Sequence, residues 1–122
     1  MLRILVVEDN ADLRETFALL LEADGRFIEA AADAEEALRA FEREPFDIVF
    51  TDVRMPRMSG TELAARLHAM APSTWVVYSS GAFVERPTGS AAARTRFLAK
   101  PFTMDALDAL MAEFEGSAPS RS

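Results

Sequence analysis

The chain of 122 residues predicts an α/β domain in which a five-stranded parallel sheet carries helices on both faces. Three observations lead there. Short apolar runs recur along the chain, segments with helical periodicity separate most of them, and polar or acidic residues stand where the runs stop. Parallel neighbours need crossover connections, and such crossovers are right-handed.

Leu2 to Val7 is almost continuously apolar and ends at Glu8-Asp9-Asn10, the pattern of a strand covered on both faces. From Asp12 onward Leu13, Phe17 and Leu20 recur at helical spacing, Arg14, Glu15 and Glu22 take other faces, and Gly25 closes the segment. Phe27 to Ala31 reads as a weaker strand. Asp33 then offers an N-cap, with Glu36 three residues on, ahead of a helix burying Ala34, Ala37, Leu38 and Phe41. Pro45 separates this helix from an apolar strand over Phe46 to Thr51. Ser59 or Gly60 opens a helix whose inner face holds Leu63, Leu67 and Met70, and Pro72 ends it. Trp75 to Tyr78 and Arg96 to Ala99 supply the last two strands. Between them Pro87 and Gly89 break the pattern, so an irregular fourth helix is expected within Phe83 to Thr95, with Ser90 to Arg94 as its clearest turn. Thr103 caps a last helix with Met104, Leu107, Leu110, Met111 and Phe114 inward. The domain is expected to span 1-115, and 116-122 reads as a flexible tail or a truncated linker.

Composition narrows the function. A net charge of -7 disfavours a direct grip on nucleic acid, and no apolar run is long enough to insert into a membrane. The chain contains no cysteine and a single His68, which excludes disulfides, thiolate chemistry, cysteine-ligated zinc and multi-histidine metal sites. A cytoplasmic location is the expectation.

In open parallel sheets ligands bind beyond the C-terminal ends of the strands, which directs attention to Glu8, Asp9, Asp52, Ser79, Ser80 and Lys100. If the first and third strands are neighbours, Glu8, Asp9 and Asp52 converge, and their mutual repulsion calls for a cation. Magnesium, which favours a few carboxylates with water and phosphate oxygens, is the natural choice. The same acidic residues can instead be solvated turn residues that cap the next helix. Asp52 interrupts an apolar strand and leads into Met55-Pro56 and Ser59-Gly60, a stiff loop suited to hold a carboxylate nucleophile towards phosphorus. Its plainer reading is a carboxylate that satisfies N–H groups of its own loop. Lys100, fixed ahead of Pro101, can neutralise a phosphoryl oxygen or act as a counterion. Ser80, with Ser79 as the register alternative, offers a hydroxyl to the same group or to its own turn. No histidine base or G-x-S-x-G elbow accompanies either serine, so they are read as binding residues.

The Glu8-Asp9 pair, Asp52 with Met55-Pro56 and Ser59-Gly60, a small hydroxyl residue before Gly81, and Lys100-Pro101-Phe102 together resemble the receiver domain of bacterial two-component response regulators. The likeness covers nearly all of Leu2 to Phe114. It implies a flavodoxin-like (CheY-like) sheet of order 2-1-3-4-5. It also implies that Asp52 takes a phosphoryl group from a phosphohistidine donor, a sensor histidine kinase or a histidine phosphotransfer domain. Asp9, Asp52, the Arg54 backbone carbonyl and water would hold Mg2+, with Glu8 in the outer shell. Ser80 would turn towards the phosphoryl group and Phe97, in place of the frequent tyrosine, would report the change at the surface. Arg54 and Ala82 fall at positions that tune hydrolysis in relatives, and Leu13 and Phe17 lie on a helix that relatives use for kinase contact. The protein would catalyse its own aspartyl phosphorylation and dephosphorylation without turning over as a conventional enzyme. An output domain, fused or separate, and dimerisation stay open. The competing reading is a phosphorylation-independent interaction module with the same fold, in which Phe97 is ordinary strand core. A magnesium phosphatase with a diffusible substrate fits less well, because no lid or general acid is evident.

Overall fold

The structure, a computed structural model, describes residues 1–80, 93–100 and 102–117, and of Ser80 and Ser117 it describes the backbone alone. Five strands, β1 (Leu2–Val7), β2 (Arg26–Ala31), β3 (Ile48–Thr51), β4 (Trp75–Ser80) and β5 (Thr95–Ala99), form one sheet of order β2-β1-β3-β4-β5. Every neighbouring pair is parallel. Four helices are described: α1 (Ala11–Leu21), α2 (Ala34–Arg43), α3 (Gly60–Met70) and α4 (Met104–Ser117). The expected irregular helix falls mostly on residues 81–92, outside the described set, and only a short 3-10 turn at Ala93 and Arg94 is seen before β5.

Strand alternation sorts the core into layers. Ile4 and Val6 of β1, Ile48 and Phe50 of β3, and Trp75 and Val77 of β4 pack with Phe17 and Leu21 of α1 and with Leu107, Met111 and Phe114 of α4. Leu5, Val7 and Val49 face the other way, against Ala34, Ala37 and Phe41 of α2 and Leu63 and Leu67 of α3. A small third cluster joins Ala64, Val76 and Tyr78, with Val53 and Phe97 at its margin. Each sheet face is therefore closed by two described helices.

The caps follow the side chains. Asn10 accepts from the Leu13 N–H, Asp33 from Glu36, Ser59 from Glu62, and Thr103 from Ala106, so each helix begins where a short oxygen-bearing side chain satisfies a free N–H. Asp33, Ser59 and Thr103 act as expected.

Four apolar residues depart from expectation. Leu13, Leu20, Met70 and Met104 are exposed to 51%, 39%, 46% and 42%, whereas the buried stripe of α1 is Phe17 and Leu21. Their helices show more apolar periodicity than the sheet can cover, so one edge of each stripe faces solvent. The third strand begins at Ile48, not Phe46, because the chain beside Arg3 is held partly by a side chain: the Asp47 carboxylate accepts the Arg3 N–H at 2.8 Å. The last helix runs through Gly116 to Ser117, and residues 118–122 are outside the described set.

Phe50 is 1% exposed and its ring meets Phe17 at 5.1 Å between centroids, in the middle of the layer shared by α1 and α4. Phe50→Ala is expected to lower unfolding free energy by about 3–5 kcal/mol in urea titrations, through lost burial and the cavity left behind.

Candidate functional site

Register brings the strand ends together. Val7 of β1 lies opposite Thr51 of β3, so the residues that follow, Glu8 and Asp52, leave adjacent strands at one level. The Asp52 N–H donates to the Val7 carbonyl at 3.3 Å, and the Glu8 N–H donates to Ala31 on β2 at 3.1 Å. Both backbones are thereby tied to neighbouring strands. On the other side, Ser80 pairs with Ala99, and Lys100 follows directly. The sheet order thus delivers residues distant in sequence to one edge.

Glu8, Asp9 and Asp52 each place a carboxylate oxygen within 4.8 Å of the others. Glu8 is buried at 5% exposure, Asp52 is half-buried and Asp9 faces solvent, so the cluster runs from the sheet edge outward. Lys100 bridges two of the three: Nζ donates to Glu8 Oε1 at 3.1 Å and to Asp52 Oδ2 at 3.3 Å. The other oxygens are held by the backbone. Asn10 N–H donates to Glu8 Oε2 at 3.2 Å, and Arg54 N–H donates to Asp52 Oδ1 at 3.2 Å. Arg14 Nη1 meets the Glu8 carbonyl at 2.9 Å, fixing the turn between β1 and α1.

One ammonium against three carboxylates leaves net negative charge at a partly buried edge, which favours a further cation. Hard oxygen donors, partly buried and partly open to water, suit a divalent cation that keeps several waters. The acidic cluster is therefore consistent with a metal site. Burial alone would lower the Lys100 pKa, but hydrogen bonds and charge from Glu8, then from Asp52, outweigh it and leave the value raised above 10.5.

The loop after Asp52 is built for close approach. Gly60 N–H donates to the Val53 carbonyl at 2.8 Å, and a Cβ on Gly60 would collide with the Asp52 carbonyl oxygen. Only glycine lets the start of α3 sit against the backbone of Asp52. Thr51 Oγ1 donates to that same carbonyl at 2.9 Å.

The expected residues Glu8, Asp9, Asp52 and Lys100 are thus assembled at one place, and Arg54 joins through its N–H. Ser80 closes β4, with its side chain outside the described residues, as are Gly81, Ala82 and Pro101. Ser79 is 3% exposed, and among the described residues its Oγ has no hydrogen-bond partner. Phe97 is half-buried on β5 and stacks on Tyr78 of β4 with centroids 5.6 Å apart. Sequence reasoning missed three features: the Arg14 anchor, the Tyr78 ring beside Phe97, and Arg57, a non-glycine residue with φ of 68° in the loop after Asp52. Strand pairing could have suggested the ring contact, since Tyr78 and Phe97 occupy middle positions of adjacent strands. Arginine carries no signal for a left-handed backbone.

Two outcomes test this geometry. Gly60→Ala is expected to destabilise the fold by about 1–3 kcal/mol in urea titrations, because the backbone must move to relieve the collision. The stability lost in Lys100→Met should be constant at neutral pH, since a folded-state pKa raised above 10.5 keeps the contribution complete below that value. It should shrink as pH rises through the raised value and Lys100 neutralises, read as converging wild-type and variant urea midpoints between neutral pH and the alkaline limit.

Comparison with known proteins agrees with the geometry. The family model described as response regulator receiver domain matches residues 4–112. The response regulator receiver protein CpdR of Brucella abortus is 33% identical over 104 residues, covering 84% of this chain and 87% of that protein. The transcriptional regulatory protein TcrA of Mycobacterium tuberculosis is 34% identical over 107 residues, covering 86% of this chain but only 42% of that protein. Among solved structures, the Vibrio cholerae chemotaxis protein CheY4 superposes with a TM-score of 0.80 at 27% identity, covering 93% of this chain and 98% of that one. Its matching sheet order and its acidic cluster of Glu8, Asp9 and Asp52, typical of the family's phosphoaspartate site, accompany a family match over most of its length: the chain belongs to the response regulator receiver domains.

Proposed function

We propose that Asp52 accepts a phosphoryl group from a phosphohistidine donor, with Mg2+ bound beside it, and that the modified domain changes its interactions with a protein partner. The observation that carries this reading is the contact of Lys100 Nζ with both Glu8 and Asp52 beside the exposed carboxylate of Asp9. When bound, Mg2+ would neutralise the carboxylates and the phosphoryl oxygens during transfer. Asp9, Asp52 and the Arg54 backbone carbonyl are the residues that would hold it, with Glu8 in the outer shell.

The chain's own residues divide the remaining work. A carboxylate oxygen of Asp52 attacks phosphorus, a P–O bond forms, the P–N bond to the donor breaks, and the departing imidazole takes up a proton. The Arg54 N–H orients the Asp52 carboxylate through Oδ1 before attack. Lys100 then exchanges its contact with Asp52 for one with a phosphoryl oxygen, while its Glu8 contact holds the ammonium in place. The Ser80 hydroxyl, with Ser79 as the register alternative, donates to another phosphoryl oxygen. Phe97 carries the response outward. It lacks a hydroxyl, so its two positions differ in apolar packing, with the Tyr78 ring as its immediate neighbour.

The donor is a sensor histidine kinase or a histidine phosphotransfer domain in the cytoplasm, and exposed Leu13 on α1 belongs to the contact surface. No described helix is long and apolar enough to cross a membrane. The receiver unit occupies 1-115. Its high coverage of CpdR, named as a receiver protein, supports signalling by the receiver itself, and the partial coverage of TcrA supports an output domain elsewhere as the alternative arrangement.

Incubation with Mg2+ and a small phosphoryl donor should give one base-labile phosphoryl adduct by intact mass, absent from Asp52→Asn. A wild-type protein without adduct, or an adduct retained in Asp52→Asn, would contradict the assignment.

A further inference from the structure

We propose that Arg57 is a positioning residue for the cation site beside Asp52: by pairing with Asp33 and Glu35 at the start of α2, it holds the loop that carries Asp52 in a strained shape that keeps the acidic residues in place. This rests on the reading of Asp52 as the phosphoacceptor.

Arg57 has a φ of 68°, the left-handed region that side chains with a Cβ avoid. The Met58 N–H donates to the Pro56 carbonyl at 2.8 Å, closing a three-residue turn centred on Arg57. Such turns with positive φ at the centre are rare and strained. Pro56 fixes the approach to this turn, and Met58, 8% exposed among the α2 and α3 side chains, fixes the exit. Two residues later Gly60 bonds back to Val53 against the Asp52 carbonyl. The segment from Val53 to Gly60 is therefore a closed loop, and a change at Arg57 is passed to Asp52 and Arg54.

The arginine side chain compensates for its backbone. Nη2 meets Asp33 Oδ2 at 2.8 Å, and Nε meets Glu35 Oε2 at 3.2 Å, so one guanidinium is gripped by two carboxylates. Asp33 is itself immobilised, because its other oxygen caps α2 by accepting the Glu36 N–H at 2.8 Å. Glu35 points the same way: Oε1 is buried with no hydrogen-bond partner among the described residues, a costly placement that its sister oxygen's contact with Arg57 helps to hold. An isolated surface ion pair contributes little to stability. Here the pair decides a backbone conformation.

The clamp also closes a ring around the site. Asp33 stands two residues beyond Ala31, whose carbonyl accepts the Glu8 N–H at 3.1 Å. Glu8 binds Lys100, Lys100 binds Asp52, and the loop from Asp52 leads back to Arg57. Loss of the clamp opens that ring at its point farthest from the chemistry. The acidic residues then remain present but are held less well, which weakens cation binding more than it slows transfer at saturation.

The test uses the whole chain in three forms: wild type, Arg57→Ala, which keeps the backbone penalty without the clamp, and Arg57→Lys, which retains one positive charge. Adduct formation on Asp52 is followed against Mg2+ concentration with a small phosphoryl donor, and amide hydrogen exchange is followed at Met58 and Gly60. Arg57→Ala should raise the Mg2+ concentration at half-maximal rate about tenfold, leave the saturated rate within about threefold, and speed exchange at those two amides while β1 and β5 stay protected. Arg57→Lys should recover part of the loss. If wild type forms the adduct and Arg57→Ala matches it in Mg2+ dependence, or if protection falls throughout the domain, Arg57 is not a positioning residue. A wild-type protein without any Asp52 adduct would instead remove the functional reading, and this role with it.

Discussion

Lys100 reaching across the sheet edge to Glu8 and Asp52 is the contact on which the functional arrangement depends. Two carboxylates that close to each other at the end of a packed core repel unless a positive charge stands between them. The ammonium supplies it from the far side of β4, so the site can exist only if β1, β3, β4 and β5 hold their parallel register. The side chain of Lys100 is 28% exposed, which leaves it wet enough to change partners and dry enough for its charge to count. Fold and chemistry meet at that compromise.

The loop between Asp52 and α3 adds a second constraint of a different kind. Gly60 must lack a Cβ because α3 begins against the Asp52 carbonyl, and Arg57 must tolerate a left-handed backbone because the loop turns inside three residues. One requirement is met by removing a side chain, the other by tying a side chain down to Asp33 and Glu35. Gly60 sits directly against the backbone of the residue that would receive the phosphoryl group, and Arg57 shapes the loop between them. Precise placement of a reactive carboxylate by remote backbone restraints is how a fold with few catalytic groups can still do chemistry.

Much of this was legible in residue order. The apolar run ending at Glu8-Asp9, the strand interrupted by Asp52 and the short strand ending at Lys100 mark three sheet ends, and short apolar runs and period-3.6 patterns place the elements between them. The caps at Asp33, Ser59 and Thr103 were readable because a short oxygen-bearing side chain ahead of an apolar helix has one main use. Burial was harder. Leu13, Leu20, Met70 and Met104 share the spacing of core residues, yet whether a stripe is covered to its edge depends on the neighbour's width, which local sequence does not encode. Asp47 read as strand and turned out to work through its carboxylate, and Arg57 was invisible because arginine carries no signal for a left-handed backbone and its partners Asp33 and Glu35 lie far away in sequence.

Glu8, Asp9 and Asp52 form an acidic cluster consistent with one cation site next to Lys100. The most direct measurement is a Mg2+ titration of the isotope-labelled protein followed through its backbone amide resonances. A saturable, single-ion response concentrated at residues 8–10 and 52–54 is expected, weakened in Asp9→Asn. A response that fails to saturate, or that scatters over acidic surface residues such as Glu36 and Glu42 with these amides unmoved, would contradict it.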